Sequence, residues 1–427
     1  MLSRFHLQER GTDVKTEARA GFTTFLTMMY IVPVNAIIMG KTGMDMGAIM
    51  SATALITIIA TVLNGIWANT PIAMSVGMGL NAYFTFGLVL GMKLPWQTAL
   101  GIVFISGALF VILSFTKFRV WVMQSVPTDL RRAISAGIGA FIAFIGLKQM
   151  GIVVANKATL VSLGNLSDPN VLLGIFGLFI AFAFFSWRIK GAFILAILIT
   201  SIVGWAFGMG ELPKHIFSMP ASISPIFLKL DIVGALSLSL LPVIITFLIT
   251  DMFDSLGTLA GVGYRAGLFK DDSKELQKTL EVDAAATSIG ALLGVSTTTS
   301  FIESASGVEE GGRTGLTAVF TGLFFILTLF ILPVFQAIPE NAIYPILVMV
   351  GALMFSELEN INFKDIPTSI AAFVTTLMMP LTYSITNGLS LGFIAYLFLL
   401  VIKGEFERIN IGVISLAVIG SLVFIFH

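Results

Sequence analysis

Apolar runs long enough to cross a bilayer follow one another from Gly21 almost to the C-terminus. A helix needs about 20 apolar residues to cross the hydrocarbon layer, and the runs lack the two-residue alternation of a membrane β-barrel. We therefore predict an all-α polytopic membrane protein. About 14 transmembrane segments are expected, at 20–39, 48–68, 72–90, 97–115, 132–150, 171–187, 191–208, 236–259, 280–296, 298–310, 315–336, 341–356, 366–383 and 387–402. A further apolar segment, 409–426, either crosses again or lies along the membrane surface.

Two spans, the third and the tenth, do not read as plain helices. The third opens around Pro71 and carries Gly77 and Gly79, whereas the tenth is rich in threonine and serine and ends at a Gly-Gly pair. Interrupted hydrophobic segments in corresponding positions of two halves point to a transporter binding site.

An internal repeat supports this correspondence. Thr24-Phe25-Leu26 recurs 222 residues later, and Asn81 and Glu303 are separated by the same 222 residues. Later matches are Pro127…Gly139 with Pro339…Gly351, at an offset of 212, and Gly191 with Gly388, at an offset of 197. Because seven spans per half is an odd number, the two halves are expected to be inverted relative to each other.

Composition agrees with the span pattern. The chain is 56% hydrophobic and 11% charged, about half the charged fraction of a soluble domain. The absence of cysteine excludes disulfides and thiolate metal sites. The net charge of zero gives no indication of a nucleic-acid partner. Lysine and arginine concentrate in alternate loops, which predicts a cytoplasmic N-terminus in an inner or plasma membrane.

Three carboxylates lie within apolar spans. Asp251 lies ten residues after Leu241, which is about 15 Å along a helix and about half of the hydrocarbon thickness. Asp254 is three residues further on and shares its helix face, and Glu303 lies in the tenth span. Acids inside a membrane usually mark a binding site or a pathway. The alternatives are a span that ends before Asp251 and a water-exposed loop at Glu303.

No lysine, arginine or histidine lies near mid-span to neutralise these acids. Buried carboxylates without a cation tend to take up protons, so we expect proton coupling through Asp251, Asp254 and Glu303 and no cofactor. A sodium ion held by a carboxylate and the hydroxyls of Thr297 to Ser300 is the alternative.

The same residues indicate the kind of solute. Carboxylates accept hydrogen bonds, whereas Asn81 can both donate and accept. Phe84 and Phe301 could stack on a flat ring, and Gly79 allows either close backbone approach or close helix packing. A planar, neutral solute with several N–H groups fits this set, and a strongly anionic one does not.

Four motifs in order resemble the AzgA-like purine nucleobase permeases of the nucleobase–ascorbate (xanthine/uracil) transporter superfamily. They are Glu17-Ala-Arg-Ala-Gly-Phe-Thr-Thr-Phe-Leu-Thr-Met-Met-Tyr, Gly77-Met-Gly-Leu-Asn-Ala-Tyr-Phe, Asp251-Met-Phe-Asp-Ser-Leu-Gly-Thr and Glu303-Ser-Ala-Ser-Gly-Val-Glu-Glu-Gly-Gly-Arg-Thr-Gly. The resemblance implies two inverted repeats of seven spans. It also implies a core domain, a gate domain, and short antiparallel strands in the broken third and tenth spans.

Mapped onto this chain, the resemblance divides it into six parts. These are a cytoplasmic N-terminus (1–19), the two halves of the core (20–115 and 236–336), the two halves of the gate (128–210 and 340–404) and a C-terminal apolar segment (409–427).

The resemblance also implies which residues bind the base. Asp251 and Glu303 carry over directly, and Asn81, Asp254 and Gly79 carry over from the AzgA-like branch. One departure is the first span, which reads Val32-Pro33-Val34-Asn35 where many relatives have Val-Asn-Pro, so its kink is expected to differ.

The function expected from these observations is import of purine bases, adenine or hypoxanthine and guanine, by proton symport and alternating access. Uracil or xanthine uptake, sodium coupling and a channel are alternatives. An intramembrane aspartyl hydrolase is a different class, since paired acids can activate water. The three histidines all lie outside the spans, which removes a Ser–His dyad, and we do not expect an enzyme. The partners expected are the base and the lipid bilayer, with a homodimer left open.

Overall fold

The computed structural model describes residues 2–116, 126–266 and 274–425, most of which are helical. The first half contains α1 (Val14–Met28), α2 (Ile31–Gly40), α3 (Met46–Trp67), α4 (Met78–Ala82), α5 (Trp96–Ser114), α6 (Thr128–Gln149), α7 (Pro169–Ser186) and α8 (Ala192–Ala206). The second half contains α9 (Ile232–Ala235), α10 (Leu241–Ala266), α11 (Lys274–Leu293), α12 (Ser304–Glu309), α13 (Gly315–Phe325), α14 (Leu332–Gln336), α15 (Glu340–Phe355), α16 (Ile366–Thr382), α17 (Ile385–Lys403) and α18 (Ile411–Ile425). A π-helix over Tyr83–Gly91 continues α4.

These helices confirm an all-α membrane protein. Among the described residues, eight helical stretches are long and apolar enough to cross a membrane, and five further apolar helices are shorter. Two helices begin earlier than the spans predicted for them. Helix α1 begins at Val14 rather than 20 and α11 at Lys274 rather than 280. Both first turns are polar, so hydropathy does not reveal them; that of α1 is capped by Asp13, which accepts the Thr16 N–H at 2.8 Å.

Four short strands complete the secondary structure. They are β1 (Met74–Val76), β2 (Val153–Asn156), β3 (Leu160–Leu163) and β4 (Thr298–Ser300). Strands β2 and β3 form a hairpin that the sequence analysis did not predict. Strands β1 and β4 pair antiparallel, as predicted for the broken third and tenth spans.

The β1–β4 ladder pairs Ser75 with Thr299 at its centre, and its Val76–Thr298 pair has the 222-residue separation of the sequence repeat. Hydrogen bonds from Gly77 N to Thr297 O and from Phe301 N to Ala73 O extend the ladder at its two ends. Helix α4 starts sooner after its strand than α12 does. The equivalence of Asn81 and Glu303 in the repeat stays a prediction.

A second point of internal symmetry lies where α6 crosses α15. Pro127 and Pro339, matched by the sequence repeat, are the N-cap residues of these two helices. Gly139 and Gly351, the other matched pair, face each other at the crossing, and a Cβ atom on either would overlap the backbone oxygen of its partner. Residues related by a two-fold axis meet in this way when they lie close to the axis.

The helices pack into two groups. Helix α6 packs on α15 and α16, α16 on α17, and α7 on α8 and α15. Helix α13 packs on α1 and α3, and α11 on α3 and α5. The first group lies within the segments that the resemblance assigns to the gate and the second within those that it assigns to the core, and this division stays a prediction.

Candidate functional site

A break in the first span places the first polar side chain of the site. Proline has no backbone N–H, and its ring clashes with the carbonyl four residues earlier. Pro33 therefore prevents a regular helical hydrogen bond to the carbonyl of Met29. Helix α1 ends at Met28 and α2 begins at Ile31. Tyr30 lies in the break and is 1% exposed. Its hydroxyl donates a hydrogen bond of 2.6 Å to Glu303 Oε1.

Glu303 lies between β4 and α12, in the interruption of the tenth span. The residue is half-buried, and the residues on either side of it are an exposed Ile302 and a buried Ser304. The Ser304 hydroxyl accepts the Ala73 N–H at 3.0 Å, which ties the start of α12 to the strand β1. The two broken spans therefore hold each other at the position of the acid.

Asp251 is buried in α10, with 1% of its surface exposed. The Thr287 hydroxyl lies 2.8 Å from its Oδ2 and can donate to it, and the same hydroxyl accepts the Thr298 N–H at 3.1 Å. The other carboxylate oxygen, Oδ1, has no hydrogen-bond partner among the described residues. Asp251 therefore offers one free acceptor in an enclosed place.

Asp283 is a fourth acid of the site, and the sequence analysis missed it. It lies in α11, is fully buried, and accepts from the Ser255 hydroxyl at 2.5 Å and from the Ser300 hydroxyl at 3.3 Å. The signal was present in the sequence, because Asp283 falls inside the predicted span 280–296.

Asp254 joins these acids. The side chain is half-buried, and its charge lies within electrostatic range of Asp251, Asp283 and Glu303. The neighbouring Ser255 is 2.7 Å from the Thr299 hydroxyl of β4. The strand β4 thus runs through the middle of a group of four carboxylates, which we call the acid group: Asp251, Asp254, Asp283 and Glu303.

Asn81 lies on the other broken span and has neutral surroundings. It is fully buried in α4, and its Nδ2 donates to Asn35 Oδ1. Asn35 in turn donates from Nδ2 to Thr53 Oγ1 at 2.7 Å. The Asn81 Oδ1 atom has no partner among the described residues. Asn35, like Tyr30 and Asp283, is a residue that sequence reasoning did not assign to the site.

Three further predicted residues lie on the broken spans. Phe84 and Phe301 are buried, the first in the π-helix and the second directly after β4. At Gly79 an added Cβ would overlap Ile138 Cγ2 of α6, so the glycine allows α4 to approach that helix closely. The described residues contain no group of His, Cys, Asp or Glu side chains arranged to hold a metal ion.

Comparison with known proteins identifies the family. A family model described as Permease family (Xan_ur_permease) matches residues 15–423. The chain is 42% identical over 429 residues to the adenine permease AdeP of Escherichia coli, covering 100% of this chain and 96% of that one. It is 40% identical over 438 residues to the guanine/hypoxanthine permease PbuG of Bacillus subtilis, covering 100% of both chains.

The fold is shared with a solved transporter. The transmembrane domain of the cyanobacterial bicarbonate transporter BicA matches with a TM-score of 0.65 at 14% identity, covering 86% of this chain and 95% of that chain. The chain therefore belongs to the xanthine/uracil (nucleobase–ascorbate) permease family, and it is an integral membrane transporter rather than an enzyme.

Proposed function

We propose that this permease imports purine nucleobases, adenine or hypoxanthine and guanine, by proton symport and alternating access. The similarity to adenine and guanine/hypoxanthine permeases supports the substrate class. The observation that carries the proposal is the acid group, which places four carboxylates around one short strand inside a membrane protein.

The acid group has no cation of its own. Within residues 2–116, 126–266 and 274–425, none of the four carboxylates forms an ion pair with lysine, arginine or histidine. Several unpaired charges close together in a low-dielectric interior repel one another and are poorly solvated. Uptake of a proton by the group relieves this cost, and the bound proton then supplies the coupling to the proton gradient.

The free acceptors of the site match a purine. Purine bases carry ring N–H and, in adenine and guanine, amino N–H donors on a flat, neutral ring. The unpartnered Asp251 Oδ1 and Asn81 Oδ1 can each accept one of them, and a neutral ring tolerates the acidic surroundings that would repel an anion. Phe84 and Phe301 supply apolar surface on the same two spans.

Alternating access requires the core to move against the gate. Among the described residues, two ion pairs join the predicted core segments to the predicted gate segments. Lys41, directly after α2, pairs with Glu340 of α15 at 2.6 Å, and Lys190, between α7 and α8, pairs with Glu310 after α12. In the proposed topology of 14 crossings with a cytoplasmic N-terminus in the plasma membrane, these pairs lie at opposite membrane faces. Opening either face separates one pair.

The experiment is uptake of radiolabelled adenine and hypoxanthine into cells that lack their own purine carriers. We expect saturable uptake that a protonophore abolishes and that sodium does not restore. Asp251→Asn is the negative variant, and Glu359→Gln, at an exposed carboxylate, is the matched control with normal uptake.

Each other result changes a defined part of the proposal. Sodium-dependent uptake that resists the protonophore would keep the substrate and replace the driving ion. Uptake of uracil or xanthine in preference to purines would keep the mechanism and replace the substrate. Well-expressed protein that carries no nucleobase contradicts the proposed function.

A further inference from the structure

We propose that Tyr30 is a positioning residue for transport, which holds Glu303 in the orientation that meets the base and connects that acid to helix α8. This inference rests on the proposed function. It assigns a role to a tyrosine in the break of the first span.

Glu303 has few other constraints on its orientation. Although it occupies the N-cap position of α12, its side chain makes no capping hydrogen bond. Among the residues that the structure describes, Tyr30 is its one side-chain hydrogen-bond partner. The bond uses Oε1, so the second oxygen can accept an N–H group of a base. Without Tyr30, the half-buried carboxylate has several rotamers of similar energy.

Tyr30 itself is held from two sides. Its backbone lies in the break that precedes Pro33, and its ring meets the ring of Phe193 edge-to-face, at 5.2 Å between centroids and an interplanar angle of 89°. Phe193 is stacked in turn on Phe185 of α7, at 6.3 Å. Edge-to-face pairs of this kind add to the stability of a packed arrangement, so the hydroxyl has a fixed position from which to donate.

The contacts of Tyr30 also link Glu303 to the gate, which moves relative to the core in the proposed mechanism. Tyr30 and Glu303 belong to the predicted core, whereas Phe193 lies in α8 of the predicted gate. Movement of the gate relative to the core changes the packing on the Tyr30 ring, and therefore the direction in which its hydroxyl points. The strength of the bond also depends on the state of the acid, because a hydrogen bond to an ionised carboxylate is stronger than one to a neutral group.

The groups facing Glu303 are few. Tyr30 approaches it from the break between α1 and α2, and Asp254 approaches it from α10. The phenol donates to the carboxylate, whereas the carboxylate of Asp254 repels it. Removing the phenol hydroxyl therefore changes the balance of the groups that face Glu303.

The test is Tyr30→Phe, which keeps the ring against Phe193 and removes only the hydroxyl. We expect the KM for the transported base to rise about tenfold, with Vmax within about twofold, because a hydrogen bond to a charged group is worth at least a tenfold change in affinity. We also expect the pH dependence of uptake to change. A purely structural role of the ring predicts neither change.

Tyr396→Phe is the matched control. Tyr396 is also a buried tyrosine, and its hydroxyl also forms a hydrogen bond with a charged side chain, accepting from Arg408 Nη2 at 3.1 Å, but it lies in α17 beside the Asp365–Arg408 pair and contacts none of the four acids. The control should keep the wild-type KM and pH profile.

A second measurement covers the case in which the variant reaches the membrane poorly. Binding of the base to detergent-purified protein is measured for Tyr30→Phe, Glu303→Gln and the double variant. If Tyr30 acts through Glu303, the losses are not additive, and the double variant binds as weakly as Glu303→Gln alone. Additive losses overturn the inference.

The proposed function and this inference fail in different ways. A wild-type protein that carries no purine base contradicts the proposed function before any variant is measured. A wild-type protein that carries purine bases, with a Tyr30→Phe variant of unchanged KM and pH profile, contradicts the inference and leaves the proposed function in place.

Discussion

The two broken spans begin with a similar backbone and differ in charge. Each has a three-residue strand followed by a helix, and the two strands pair with each other. The helix of the third span continues to Gly91 as a π-helix, whereas that of the tenth ends at Glu309. The third span carries Asn81, a neutral amide in a fully buried chain of hydrogen bonds to Asn35 and Thr53. The tenth carries Glu303, which is half-buried and within electrostatic range of Asp254.

The difference assigns different tasks to the two spans. The neutral network of the third span leaves Asn81 Oδ1 without a partner among the described residues, so that atom can accept from a ligand while the network keeps its charge unchanged. A group of unpaired acids changes its charge whenever a proton arrives. We therefore expect the third span to fix the geometry of the base and the tenth span, with α10 and α11, to carry the coupling.

The largest effect is expected from removing charge at the acid group. Glu303→Gln and Asp251→Asn keep the shape of the side chains and remove their ability to exchange a proton, so each should reduce uptake to background. Initial uptake rates, with surface expression measured in the same cells, test this expectation. Normal uptake in either variant would remove that residue from the site.

Asp283→Asn should have the next largest effect. One oxygen of Asp283 accepts from Ser255 and the other from Ser300, and an amide can accept through only one of its two polar atoms. Uptake should fall more than about tenfold, because losing a hydrogen bond to a buried charge costs about 1.5–3 kcal/mol. Asp168→Asn, at a half-buried helix cap of α7 outside the acid group, is the control. An Asp283→Asn variant with wild-type uptake would limit Asp283 to a structural role.

A smaller loss of transport, accompanied by a loss of stability, is expected on the third span. Asn81→Ala removes the donor to Asn35 Oδ1 and leaves a buried carbonyl unpaired, at a cost of about 1–3 kcal/mol. The melting temperature in detergent should fall, and uptake should fall several-fold but remain detectable. Complete loss of uptake without a change in melting temperature would mean that Asn81 participates in coupling as the acids do.

Gly79→Ala should have a still smaller effect, which a second mutation corrects. The new Cβ would overlap Ile138 Cγ2 of α6, and overpacking of this kind costs about 1–3 kcal/mol. The KM for the base should rise severalfold, and the double variant Gly79→Ala with Ile138→Ala should recover much of the loss. A double variant as impaired as the single one would point to direct contact between Gly79 and the base.

The apolar spans could be predicted because every helix that crosses the bilayer needs about 20 apolar residues, whichever helices it packs against. The broken spans were also visible, since their glycines and Pro71 interrupt that pattern. Asp283 was missed because hydropathy began its span at 280, which put the residue near the membrane edge. Helix α11 begins at Lys274, so Asp283 lies nine residues after the start of the helix.

The contacts of Tyr30 and Asn35 could not be predicted from one sequence. Tyr30 and Glu303 are 273 residues apart, and a tyrosine or an asparagine in an apolar span has many possible partners.

The smallest effect is expected at an acid that does have a cation. Asp365 is the N-cap residue of α16, outside the helix, and it accepts two hydrogen bonds from Arg408, at 2.8 and 3.0 Å. Hydrogen bonding to Arg408 lowers the pKa of Asp365 to about 2. Because this value lies below that of an unfolded aspartate, about 3.9, the pair contributes stability above that pH and loses it as the pH falls through about 2.

Asp365→Asn keeps a capping side chain and removes the charge. Because the pair is partly exposed, we expect a loss of less than about 1 kcal/mol at pH 7 and unchanged uptake. The difference in melting temperature between wild type and variant should shrink as the pH is lowered from 5 towards 2.5 in detergent solution. A constant difference over that range would mean that the pair does not depend on the charge of Asp365. A large loss of uptake would mean that transport depends on the charge of an acid that a cation already balances. Unpaired charge would then not explain the difference between the third and the tenth span.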